Sequence, residues 1–113
     1  MYTSSNSPLT EPTYFILLCL SPNPKHGYAI MKDVRELSEN RVILSTGTLY
    51  GALKRLLNQG WIIRMENTNS KSNSRDRKVY KLSEQGRREL KEEIVRLNKL
   101  LIAAGQRLVE EQP

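Results

Sequence analysis

The sequence predicts a mainly α-helical fold with a small β-hairpin and a long helix at its C-terminal end. Four segments carry helix signals, whereas the residues that follow Gly60 alternate between apolar and polar types. In residues 83–113 apolar side chains repeat as heptads. With 113 residues and 38% hydrophobic content, the chain can form one domain with a modest core.

The net charge of +6 is concentrated in part of the chain. Residues 1–82 hold 12 Lys+Arg against 6 Asp+Glu, whereas residues 83–113 hold 6 of each. Between Arg41 and Lys81 there are nine cations and two anions. A localised basic surface is typical of proteins that bind a polyanion, although basic proteins without such a ligand also exist.

Several function classes are not expected. The longest apolar run, Tyr14–Leu20, is too short to cross a bilayer and no signal peptide begins the chain, so we expect a cytoplasmic protein that does not associate with membranes. Cys19 is the single cysteine and is predicted to be a buried thiol, while the lone His26 lacks metal-ligand neighbours. Because nucleotide-loop, zinc-protease and nucleophile-elbow motifs are absent, we expect neither an enzyme nor a cofactor.

The N-terminal part is predicted to be a polar, flexible arm at residues 1–8 followed by a helix. Thr-Glu-Pro at 10–12 gives a cap, an acidic first turn and a proline near the first helical position. The helix runs to Leu20 and ends at Ser-Pro-Asn-Pro, residues 21–24. The apolar run alone is also compatible with a strand, but the start signals favour a helix. Because it is apolar on every side, a second subunit is expected to help cover it.

Lys25–Asn40 is predicted to be an amphipathic helix, with Ile30, Val34 and Leu37 on its buried side. His26 at its start is assigned a structural or capping role. Arg41–Leu44 is either a one-turn connection or a brief strand.

The third helix is predicted to begin after a Ser45 cap and to end at Gly60. Its buried positions are Leu49, Ala52, Leu53 and Leu56. Its outward positions are Gly47, Gly51, Lys54 and Asn58, flanked by Thr48, Tyr50 and Arg55. Glycines surrounded by cations and hydroxyls allow the backbone to approach DNA closely while the rim donates hydrogen bonds. Two helices joined by a short link in this way form a helix-turn-helix.

A β-hairpin is predicted after this helix. Residues 61–66 alternate, Lys78–Leu82 forms the second strand, and the connection between them is polar and basic. Beside a DNA-reading helix such a hairpin is a wing, with Lys71, Arg75, Arg77 and Lys78 reaching phosphates or a neighbouring groove. Without that helix, a solvated loop would be the default interpretation.

The last helix is predicted from Ser83 to about Glu110. Its heptad seam consists of Leu90, Ile94, Leu97, Leu101, Ala104 and Leu108. The seam predicts a homodimer, because a helix of this length would overhang a small domain if it packed back on its own chain. The chain therefore divides into the arm at 1–8, a winged helix-turn-helix domain at 9–82 and a C-terminal dimerisation helix at 83–113.

Three motifs in order resemble the PadR family of bacterial transcriptional regulators. They are His26-Gly27-Tyr28 with Ile30; Gly47-Thr48-Leu49-Tyr50 with Ala52-Leu53, Arg55-Leu56 and Gly60; and Arg77-Lys78 with Tyr80, Leu82 and Gly86. The resemblance covers about Leu9 to Leu90 and implies a winged helix-turn-helix, a dimerising last helix and repression relieved by a small molecule. The short last helix resembles the smaller subgroup of the family.

The resemblance also implies roles for single residues. Tyr50, Lys54 and Arg55 would face DNA, and Arg77 and Lys78 would belong to the wing. The chain departs from the family pattern at Gly51, where proline is common. It also lacks the tryptophan that drug-binding relatives carry on the last helix, so a drug sandwich at the dimer centre is not implied.

The leading hypothesis is a dimeric repressor that binds a near-palindromic operator in double-stranded DNA. Its predicted DNA-binding residues are Thr46, Thr48, Tyr50, Gly51, Lys54, Arg55, Lys71, Arg75, Arg77 and Lys78. A small hydrophobic or phenolic effector bound between the first and last helices is compatible with it. The alternative is a winged-helix module that binds another protein and has no sequence-specific DNA binding.

Overall fold

The structure is a computed structural model that describes residues 7–66 and 78–111, with side chains to residue 109. In this part the elements are α1 (Glu11–Leu20), β1 (Lys25–His26), α2 (Gly27–Leu37), α3 (Thr46–Gln59), β2 (Ile62–Glu66), β3 (Lys78–Leu82) and α4 (Glu84–Glu111). The strands form one antiparallel sheet in the order β1-β3-β2. The predicted fold class, mainly α with a small β-sheet and a long last helix, is confirmed.

Helix α1 begins and ends at the predicted residues. The Thr10 side chain caps it by accepting a hydrogen bond from the Thr13 N–H at 3.3 Å. Ile16, Leu17 and Leu20 are at most 1% exposed and lie at the centre of the core. Cys19 is buried as predicted, and burial raises the pKa of its thiol to about 12.

The prediction for Lys25–Asn40 is wrong at both ends. Lys25 and His26 are extended and pair with β3, because the lysine opposes Tyr80 and the histidine opposes Val79 in the ladder. The helix itself stops at Leu37, which is 45% exposed at the edge of the core instead of buried.

A tight turn follows α2. Glu39 and Asn40 both have left-handed backbone angles, with φ of 53° and 68°. The buried Ser38 closes the turn, since its hydroxyl oxygen accepts a hydrogen bond from the Val42 N–H at 2.9 Å. Of the two alternatives left open for Arg41–Leu44, neither a helical turn nor a strand forms; the segment is an irregular connection whose Leu44 enters the core.

Helix α4 starts inside the domain and then leaves it. The Ser83 hydroxyl donates to the Gly60 carbonyl at 2.6 Å and accepts from the Gly86 N–H at 3.0 Å, so the end of α3 is joined to the beginning of α4. Leu90 is 4% exposed and belongs to the core. From Leu97 onwards every described side chain is exposed.

Candidate nucleic-acid interface

Helix α3 has both of the predicted ends. The Ser45 hydroxyl accepts a hydrogen bond from the Thr48 N–H at 3.1 Å. Gly60 ends the helix with φ of 79°, and the following Trp61 N–H donates to the Leu56 carbonyl at 3.0 Å. The four predicted core positions are at most 4% exposed: Leu49, Ala52, Leu53 and Leu56. Because that side is fixed in the core, the opposite face of the helix must point outward.

The outward face of α3 carries most of the predicted contact residues. Thr46, Gly47, Thr48, Gly51, Lys54, Arg55 and Asn58 are all exposed. A Cβ placed on Gly47 or Gly51 would meet no atom within 4 Å, so the backbone is accessible at both positions. Two cations and two hydroxyls therefore surround a strip of bare backbone.

Tyr50 differs from the other residues predicted to face DNA. Its side chain is half-buried and packs against the core. Its hydroxyl lies against Gly27 at the start of α2, where an added Cβ would be only 2.5 Å from the Tyr50 oxygen. Tyr50 therefore connects the two helices of the helix-turn-helix and presents only part of its ring at the surface.

A groove of about 560 Å³ lies where α3 meets the sheet. Its walls are Thr46, Tyr50, Leu53, Lys54, Leu57, Arg64, Lys78 and Tyr80. The structure thus brings together Thr46, Tyr50, Lys54 and Lys78, which were predicted from separate segments. We call it the α3–sheet groove.

Sequence reasoning missed Arg64 and Tyr80 as residues of this groove. The signal was the alternation along β2, which puts Arg64 on the same side as the buried Ile62. The register of the two strands places both residues in the groove, because Arg64 lies directly opposite Tyr80 and Ile62 lies opposite Leu82. The pattern alone could not supply that register, since the connection between the strands is long.

The Tyr80 phenol remains protonated at neutral pH. Burial raises its pKa, and the neighbouring Tyr50 raises it further. The positive charge of the nearby Arg64 acts in the opposite direction but does not outweigh burial. The groove therefore holds a neutral hydroxyl with a guanidinium beside it.

Three predicted wing residues, Lys71, Arg75 and Arg77, lie outside the described residues, so their predicted contacts stay a prediction. Lys78 at the start of β3 is half-buried. Its carbonyl oxygen is 3.2 Å from His26 Nδ1, which must carry the proton because a carbonyl can only accept. His26 thus ties the start of α2 to the wing.

The seam of α4 is largely accessible in the single chain. Ile94 is 42% exposed, Leu101 is 70% exposed and Leu108 is 58% exposed, and Leu97 and Ala104 are exposed as well. Leu90 differs, because it is buried within its own domain and is not available to a partner. The dimerisation role of the seam stays a prediction.

Across residues 7–66 and 78–111, no group of three or more His, Cys, Asp or Glu side chains is arranged to hold a metal ion. In the same ranges, none of the helices combines the length and the apolar character that a membrane span requires.

An exposed cationic helix after a tight turn, with an antiparallel sheet beside it, defines a winged helix-turn-helix protein. Residues 16–92 match the PadR-like family of transcriptional regulators. The chain belongs to this family, whose members are regulators and not enzymes, as predicted. No curated protein sequence is significantly similar to the chain.

Solved structures share the fold. A PadR family regulator from Clostridium difficile is 28% identical with a TM-score of 0.72, over 88% of this chain and 99% of that one. A PadR-like transcription factor from Bacteroides fragilis is 29% identical with a TM-score of 0.69, over 83% of this chain and 86% of that one. Bacillus subtilis PadR in complex with operator DNA is 24% identical with a TM-score of 0.66, over 79% of this chain and 48% of that one.

Proposed function

We propose that this regulator binds double-stranded DNA through α3 and the wing, as a homodimer that represses transcription. The observation that carries the proposal is the outward face of α3, where bare backbone at Gly47 and Gly51 is flanked by Lys54 and Arg55. Such a face can enter a major groove, because nothing bulky keeps its backbone from the bases and its cations reach phosphates. Bacillus subtilis PadR, which shares the fold, binds operator DNA, and this supports the same use of the fold here.

The exposed seam of α4 supports a second copy of the chain as its partner. A 28-residue helix extends well beyond the domain, and its last part leaves large apolar side chains in water, including Leu101 and Val109 at 70% and 66% exposure. Heptad seams bury such side chains by pairing with another helix. In a two-fold dimer, the two α3 helices enter successive major grooves about 34 Å apart, so the operator is a near-palindrome.

The test is titration of the protein with duplex DNA from the region upstream of its own gene. Binding should weaken steeply with salt, because each neutralised phosphate releases counterions. Lys54→Ala should weaken binding roughly tenfold. Lys99→Ala is the control, because it removes an exposed lysine from α4 instead.

Two results would refute this docking. One is unchanged affinity in Lys54→Ala, and the other is the absence of duplex binding at low salt. If the second result came with capture of a different protein through the α4 seam, the alternative function as a protein-interaction module would replace it. Because the proposed target is chromosomal DNA, the proposal also places the protein in the cytoplasm.

We further propose that a small hydrophobic or phenolic molecule releases the repressor. The packing of α4 against α1 supports this, since a second copy brought to α4 would lie close to Tyr14, Phe15 and Leu18, the half-buried apolar residues of α1. A thermal-shift screen with flat phenolic compounds, followed by DNA titration with each hit, tests the idea. A panel that changes neither the melting temperature nor the DNA affinity would contradict it.

A further inference from the structure

We infer that the α3–sheet groove is a phosphate site that holds one phosphodiester of the DNA backbone, with Arg64 as its main ligand. The inference rests on the proposed DNA binding and adds to it a specific contact on β2. This strand lies outside both α3 and the connection between β2 and β3. Three cations from three elements line the groove: Lys54 on α3, Arg64 on β2 and Lys78 on β3.

The pairing of β2 in the sheet fixes the side to which Arg64 points. It faces α3, because it shares a side of β2 with the buried Ile62, and it lies directly opposite Tyr80 in the ladder. An arginine oriented in this way loses less side-chain freedom when it binds an anion. Its remaining N–H groups can grip two phosphate oxygens together.

The other walls suit an anion as well. Thr46 brings a hydroxyl group, and the phenol of Tyr80 stays neutral and adds no negative charge beside Arg64. Leu53 and Leu57 provide an apolar wall, which lowers the local dielectric and strengthens charge-assisted hydrogen bonds. Among the described residues of the sheet, Glu66 lies opposite Lys78 in the ladder, and the three cations of the groove still outnumber it.

The groove is continuous with the outward face of α3, and this favours a backbone phosphate over a free one. Thr46 and Lys54 belong to both surfaces. A duplex seated on the bare strip at Gly47 and Gly51 must carry one sugar-phosphate strand along the edge of α3 that borders the sheet. The contact is therefore independent of base sequence.

The experiment compares Arg64→Gln with Lys81→Gln. Lys81 is on the neighbouring strand but faces the other side of the sheet, so the control removes the same charge outside the groove. We expect Arg64→Gln to weaken binding roughly tenfold on upstream and random-sequence duplexes alike and to lower the salt slope by about 1. Lys81→Gln should change either quantity far less. Equal effects of the two substitutions would overturn the assignment to the groove.

A second experiment identifies which phosphate of the DNA Arg64 contacts. Duplexes in which one phosphate at a time is replaced by a neutral methylphosphonate should include a position that weakens the unsubstituted protein but not Arg64→Gln. If no position behaves in this way, and inorganic phosphate instead raises the melting temperature of the unsubstituted protein alone, the site takes a free anion and our assignment is wrong.

Tyr80→Phe tests how Arg64 is held. Loss of the hydroxyl should weaken binding less than loss of the guanidinium and should have no added effect in Arg64→Gln. Additive effects would contradict the positioning of Arg64 by Tyr80. These outcomes are separate from the proposed function, which is tested by duplex binding of the unsubstituted protein and by Lys54→Ala.

Discussion

Gly86, in the first turn of α4, has no room for a side chain. A Cβ at this position would collide with the Trp61 carbonyl, which is backbone and cannot swing away. We expect Gly86→Ala to lower the free energy of unfolding by about 3 kcal/mol, as overpacking against a fixed group does. Urea unfolding at a fixed protein concentration measures it.

The matched control for Gly86 is Gly51→Ala, the same exchange in another helix where the space is open. It should leave the free energy of unfolding unchanged or raise it by up to about 1 kcal/mol, because alanine favours helix over glycine. Equal destabilisation in both variants would mean that the close approach of α4 to Trp61 does not limit the size of the side chain.

Glu39 is held in a left-handed conformation that costs an L-residue about 1–2 kcal/mol. Glu39→Gly should therefore raise the free energy of unfolding by about 0.5–1 kcal/mol. Glu36→Gly, the same exchange three residues earlier, falls within α2 and should lower it by a similar amount. Thermal unfolding of the two variants should shift in opposite directions; a shift in the same direction would contradict the backbone assignment.

The sequence correctly predicted helix caps and helix ends, which depend only on neighbouring residues. The caps at Thr10 and Ser45 and the stop at Gly60 follow from hydrogen bonds within a few residues of each helix end. The partial burial of Tyr50 could not be predicted in the same way, because it depends on a glycine 23 residues earlier that leaves room for the phenol.

Helices and strands could be predicted where their pattern of apolar and polar residues extends over several positions. The boundaries of α1, α3 and β3 follow the sequence signals, whereas β1 is only two residues and has no period of its own. It is a strand because β3 lies beside it, which is a tertiary effect. The α3–sheet groove has the same origin, since the ladder register places Arg64 against Tyr80.

At the scale of the element, α4 carries two buried carboxylates one turn apart with opposite pKa shifts. Burial and the nearby Glu92 raise the pKa of Glu89. Hydrogen bonds from the Arg96 guanidinium, together with its positive charge, lower the pKa of Glu93 against the opposing effect of burial. The raised carboxyl favours folding below its unfolded pKa and opposes it as the pH rises; the lowered one favours folding above its unfolded pKa and loses that effect in acid.

Glu89→Gln should therefore stabilise the protein at neutral pH, and the gain should shrink as the pH falls through 4.5, the ordinary pKa of the group. Glu93→Gln should destabilise it at neutral pH, with a loss that shrinks in acid. Chemical unfolding across this pH range tests both. Destabilisation by Glu89→Gln would contradict the raised pKa of this carboxyl.

At the scale of the whole molecule, the proposed dimer depends on the far part of α4. Leu101→Glu should convert the protein to a monomer in light-scattering measurements, because it places a charge in the seam where the leucine is 70% exposed in the single chain. Ala103→Glu is the control, since a shift of two helical positions puts it on the opposite side. A dimer that survives Leu101→Glu would refute the seam.

The beginning of α4 is wedged against Trp61 and its far end carries the seam, without a break in the helix between them. In the proposed dimer α4 is a rigid spacer that sets the distance between the two α3 helices. Adding one residue to α4 between Trp61 and the seam would rotate the DNA-binding domain of each copy by about 100° relative to the seam. The proposed dimer thus predicts that the length of α4 sets the spacing of the operator half-sites.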